Sequence, residues 1–79
     1  MRTNIDSVVA EILSIVLDRP VAPGEFVSRA EEDRWDSLRH IEIVFALESA
    51  LNIELDETEI GEVASSSDLC SVAEVRLAS

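Results

Sequence analysis

The sequence contains no lysine, one cysteine, two glycines, two prolines and no apolar run long enough to span a membrane. Each scarcity excludes something. Six arginines stand against seventeen acids, for a formal net charge of −11. Such a surface repels nucleic acid and anionic membranes, and it steers the chain toward basic patches on partner proteins. With Cys70 alone, no internal disulfide can form, which suits a reducing compartment. The opening residues lack a basic stretch followed by an apolar one, so the expectation is a cytoplasmic, non-membrane protein. What is plentiful is apolar side chain: 47% of 79 residues, enough for a packed core despite the charge. A chain of this length makes one domain, residues 1–79, expected as a monomer.

Helical periodicity organises the chain; repeats, low-complexity tracts and strand-like alternation are absent. Thr3 or Asn4 is placed to cap a first helix, with Asp6 in its favourable first turn. Ile5, Val8, Val9, Ile12, Leu13 and Val16 recur at the 3.6 period, with Asp6, Ser7, Glu11, Ser14 and Asp18 on the opposite, wet face. Pro20, Pro23 and Gly24 end this helix and open a loop to about residue 36. That is long for a compact domain, and Phe26 and Val27 are expected to pin it to the core.

The second helix is expected over Ser37–Leu51. Ile43, Val44, Leu47, Ala50 and Leu51 share one side and should face the core. Leu38, Ile41 and Phe45 gather on another, flanked by Glu42 and Glu48, as in a docking strip for a basic partner. Burial of the helix on two sides is the plainer alternative. A short acidic helix, residues 56–63, should follow with Asp56 as its cap; Ile60 and Val63 make one buried edge and Gly61 weakens it. Ser66 or Ser67 should cap a last helix with Leu69, Val72, Ala73 and Leu77 as its core stripe. The expected fold is all-α: a small four-helix bundle of three main helices and one short one.

The run Trp35-Asp36-Ser37-Leu38-Arg39-His40-Ile41-Glu42-Ile43-Val44-Phe45-Ala46-Leu47-Glu48 resembles the acyl carrier proteins. The likeness extends over residues 5–75 and implies the acyl carrier type of bundle. Members of that family are not enzymes. A phosphopantetheinyl transferase attaches 4′-phosphopantetheine from coenzyme A to the serine of Asp-Ser-Leu. The arm's thiol then holds acyl or aminoacyl groups as thioesters for acyltransferases, ligases and synthases. The resemblance implies that Ser37 carries the arm and that Asp36 is the acid before it. Leu38, Ile41 and Phe45 would be partner contacts, Glu42 and Glu48 the acids that meet partner cations, and Ile60 a further contact. Fatty-acid carriers usually have a glycine two residues before the aspartate and an acid just after the leucine. Here Asp33-Arg34-Trp35 leads in, and Arg39 and His40 follow. This pattern looks more like discrete carriers of bacterial polyketide or mixed polyketide–peptide pathways, with fatty-acid synthesis as the alternative.

Competing readings are kept beside these. Ser37 could be no more than a helix cap, although Asp36 can do that work. Helix N-termini favour anions, which suits a phosphate-linked serine. His40 lies on the core side of the first turn and lacks a nucleophile–base–orienter set, so it is read as a core-rim residue. Cys70 is read as a small buried hydrophobe. Glu31, Glu32, Asp33 and Asp36 do not match an EF-hand, so no specific metal site is expected. Paired-carboxylate hydrolysis lacks a deep cleft. The rival of another class is a noncatalytic acidic adaptor without a prosthetic group.

Overall fold

The computed structural model describes residues 4–78. Four helices follow in order: α1 (Ile5–Val16), α2 (Ser37–Leu51), α3 (Glu57–Glu62) and α4 (Ser66–Ala78). Among the described residues the only β-type pairing is an isolated antiparallel bridge between Ser28 and Ser65. The chain is a small, compact all-helical domain with a radius of gyration of 11.4 Å, close to the ~11.6 Å expected for a folded chain of this length.

Local chemistry explains the boundaries. Asn4 caps α1, its side chain accepting the Ser7 N–H; Thr3, the alternative cap, lies outside the described residues. After Leu17, Asp18 takes a left-handed φ of 54°, and Pro20 has no N–H with which to continue a helix. Arg34 Nη1 then donates to the carbonyls of Leu17 (3.0 Å) and Asp18 (2.6 Å). A cation thus satisfies the acceptors left at the end of α1. Asn52 closes α2 in the left-handed region at φ 54°, a conformation asparagine tolerates. Asp56 and Glu59 form a complete capping box on α3.

α1, α2 and α4 pack on one another around Val9, Leu13, Leu17, Ile43, Leu47, Leu69 and Ala73. α3 buries none of its own residues and is held by its flanks: Val63 is in the core, and Arg76 pairs with Glu59 and lies 3.7 Å from Asp56. The long loop contributes Val21, Val27 and Trp35 to the core. Its middle is zipped to the start of α4. Val27 N–H donates to Ser66 Oγ (2.9 Å), which donates to the Glu25 carbonyl (2.9 Å), while Ser66 N–H reaches Val27 O (2.8 Å).

Five expectations are corrected. Phe26 is exposed and, of that pair, Val27 alone enters the core, because consecutive extended residues point opposite ways and the Ser66 bonds fix which one turns inward. Ser14 is not simply wet: its hydroxyl donates to Ala10 O (2.7 Å) and accepts the Val21 N–H (2.9 Å). Ala50 is exposed, since the core stripe of α2 runs His40, Ile43, Val44, Leu47, Leu51. Leu77 is exposed beyond the reach of the core. The cap of α4 is Ser65, whose Oγ accepts the Asp68 N–H; Ser66 is turned to the loop instead.

Candidate functional site

The first turn of α2 starts from a division of labour between adjacent residues. Asp36 is the cap: Oδ1 accepts the Arg39 N–H at 2.9 Å and Oδ2 pairs with Arg39 Nη1 at 3.0 Å. The Arg39 backbone N–H holds the Asp36 carboxyl below the usual aspartate range, with the guanidinium charge adding to it. Ser37 is therefore released from capping. It stands exposed at the first helical position, and among the described residues nothing hydrogen-bonds its hydroxyl. That hydroxyl is open to modification by an external enzyme, beside a helix start that tolerates added negative charge.

Behind Ser37 lies a buried polar joint. Trp35 and His40, the residues just before the cap and in the next turn of α2, occupy the two positions of a hydrophobic staple. Their rings stand 6.1 Å apart at 29°. Trp35 Nε1–H donates to His40 Nδ1 at 3.0 Å, and His40 Nε2 lies 2.8 Å from the Ile60 carbonyl. An indole N–H only donates and a carbonyl only accepts, so the arrangement assigns the neutral Nε2–H tautomer. His40 thereby ties the start of α2 to the middle of α3. With both nitrogens occupied and the ring 5% exposed, it has no lone pair to offer as a base. The sequence reading placed His40 on the core rim but missed Trp35; the signal was an aromatic residue directly before a capping aspartate.

Leu38, Ile41 and Phe45 lie three and four apart on one helix face, with exposures of 70%, 40% and 61%. Glu42 is exposed beside them and has no ion pair or hydrogen bond among the described residues. Glu48 differs from expectation. It is half-buried, and its Oε2 accepts the Leu55 N–H at 2.8 Å, fixing the turn after α2. Ile60 is half-buried, joined to α2 through its own carbonyl and His40. A shallow groove beside Phe45 is lined by Glu48, Asn52, Ile53, Glu54 and Leu55.

Other groups lie away from α2. A cleft of about 320 Å³ between α1, the long loop and the start of α4 includes Asp6, Leu13, Ser66 and Cys70, and no residue of α2. Cys70 Sγ lies 3.3 Å from Asp6 Oδ1. Burial, with the Asp6 carboxylate adding to it, pushes the thiol up to about 11, so it stays protonated and unreactive. Among the described residues no three His, Cys, Asp or Glu side chains gather as a metal site, and no helix is long and apolar enough to cross a membrane. Comparisons with family descriptions, with curated proteins and with solved structures returned no match.

Proposed function

We propose that this chain is a phosphopantetheine-bearing carrier protein whose attachment residue is Ser37. The observation that carries the reading is the pairing at the head of α2: Asp36 takes the cap, and Ser37 beside it presents a free hydroxyl next to exposed Leu38. A serine that capped the helix would have its oxygen turned onto the backbone. The resemblance of residues 35–48 to the acyl carrier proteins supplies the chemistry. The residues present fit the group. The hydroxyl is unobstructed, the helix start favours a phosphodiester, and the protonated Cys70 thiol does not compete. When bound, the arm supplies a thiol that carries acyl or aminoacyl groups as thioesters.

The chain's own residues do the rest without catalysis. Leu38, Ile41 and Phe45 offer an apolar contact to a partner's cleft, with Glu42 as the open acid at its edge. Partners are the transferase that modifies Ser37 and the acyltransferases, ligases and synthases that load and unload the arm. Tethering raises the effective concentration of cargo at each active site, while weak docking allows exchange between them. The Asp33-Arg34-Trp35 lead-in and Arg39-His40 favour polyketide or mixed polyketide–peptide biosynthesis over general fatty-acid synthesis.

The test is intact mass after incubation with coenzyme A and a phosphopantetheinyl transferase. One arm should be added, and Ser37→Ala should abolish the addition while leaving the far-UV circular dichroism unchanged. Absence of modification in the folded wild-type chain would instead favour the acidic adaptor.

A further inference from the structure

The net charge of −11 suggests that any basic partner is drawn to the whole surface alike. The side chains at α2 behave differently. Three acids border its exposed face: Asp36, Glu42 and Glu48. Glu48 is turned back onto the Leu55 N–H. Both oxygens of Asp36 are occupied by one residue, Oδ1 by the Arg39 backbone and Oδ2 by its guanidinium. Glu42 alone of the three is open. Arg39 is the one cation on α2; its side chain is 43% exposed and that of Asp36 53%, so the pair lies at the surface, one residue from Leu38 and two from Ser37.

We infer that Arg39 is a specificity-determining residue for docking: it competes with basic partners for Asp36 and favours those that set a carboxylate against the first turn of α2. This rests on the reading of Ser37 as the modified residue, and it goes further by naming the partner's chemistry. A cation approaching Ser37 meets a carboxylate already paired with Arg39 and the like charge of that guanidinium, so it gains less there than the acidity of the chain implies. Asp36 engages only Nη1 of the Arg39 guanidinium, so a partner carboxylate can take the remaining N–H groups while the partner seats Leu38 and Phe45 in an apolar pocket and places its own cation at Glu42. The matching face is therefore mixed in sign along the helix, negative over the first turn and positive over the second. Exposed pairs of this kind are weak, so the selection is a bias of about two- to five-fold for each contact.

The experiment compares wild type, Arg39→Gln, Arg39→Glu and Arg39→Lys as substrates of a transferase whose docking patch is wholly basic, in low and in high salt. Arg39→Gln should lower KM about two- to five-fold in low salt with kcat unchanged. Arg39→Glu should lower it further, Arg39→Lys should behave as wild type, and the differences should vanish in high salt. A second arm uses no modification chemistry. A leucine–lysine amphipathic peptide is titrated into Ser37→Ala and Ser37→Ala/Arg39→Gln, with binding followed by the backbone amide shifts of α2. The double variant should bind about two- to five-fold more tightly. Wild type left unmodified while the peptide arm behaves as stated refutes the Ser37 reading and leaves Arg39's role standing. Modification of wild type with an unchanged or higher KM for Arg39→Gln, equal peptide affinity for the two variants, or an effect that survives high salt overturns the role assigned to Arg39.

Discussion

Removing the indole N–H of Trp35 is the sharpest probe of the joint behind Ser37. In Trp35→Phe the aromatic body is largely kept, but His40 Nδ1 loses its donor while 5% exposed. Moving the proton to Nδ1 offers no escape, because Nε2 would then face the Ile60 carbonyl acceptor to acceptor. A buried polar atom left unpaired costs about 1–3 kcal/mol, with a further contribution from the smaller ring. The whole chain is stable by about 4–12 kcal/mol at the usual per-residue range. The variant should therefore fold, with Tm lowered by about 4–8 °C for each kcal/mol lost. His40→Leu orphans Trp35 Nε1 instead and should be comparably destabilised. The double variant orphans neither member of the pair, so its loss should fall short of the sum of the single losses by about 1–3 kcal/mol. Urea unfolding followed by far-UV circular dichroism measures all four proteins on one signal, since Trp35 is the sole tryptophan. Additivity within about 0.5 kcal/mol would refute the hydrogen bond. Hydrogen exchange across residues 56–63 separates the two halves of the joint, because the bond to the Ile60 carbonyl comes from His40 and not from Trp35. His40→Leu should speed exchange there beyond its global effect, and Trp35→Phe should not.

Other expectations follow from single contacts. Ser66→Ala leaves the Val27 N–H and the Glu25 carbonyl without their shared partner and should cost about 1–3 kcal/mol in urea unfolding; an unchanged midpoint would mean the loop is held by Val27 packing alone. Glu48→Gln should lower stability by no more than about 1.5 kcal/mol through the Leu55 N–H and leave peptide binding to α2 unaltered, whereas Glu42→Gln should weaken binding and spare stability. Acid should act in two stages. Falling pH first relieves the repulsion of a chain whose pI is near 4.2, so the urea midpoint should hold or rise slightly. Glu25, Glu32, Asp36 and Glu59 are held below their ordinary values, chiefly by the Ala22 N–H, Arg19, the Arg39 N–H and Arg76 respectively. Their unfolded forms bind protons first, so their contribution is full above the unfolded values and is lost as pH falls through the folded ones. A midpoint still rising at about pH 3, below the unfolded carboxylate range, would show that these pairs do not stabilise the fold.

The helices were legible where periodicity was strong. Ser37–Leu51 matches the expected second helix at both ends, because Asp36 announces one end and the apolar stripe runs unbroken to the other. The site's outward residues were legible for the same reason: Leu38, Ile41 and Phe45 fall off the core stripe by helical angle alone. What sequence did not reveal was side-chain to backbone bonding across distance. Glu48 reads as a rim acid until the turn after α2 brings the Leu55 N–H to it. Ser66 reads as a cap until the loop arrives from 39 residues away. Phe26 and Val27 are interchangeable apolar neighbours until that contact decides which turns inward. Such partners are set by tertiary packing, and no local pattern encodes them.

The closure at Val27 and Ser66 also decides where force would travel. Tension along the backbone from α1 to α4 need not pass through α2. It runs down the long loop and crosses to α4 through the paired Val27–Ser66 hydrogen bonds, which close residues 28–65 into a bight of chain. Ser37 and its docking strip sit in that bight. Tension carried along the backbone would have to break the clasp before it could stretch the segment that presents the serine.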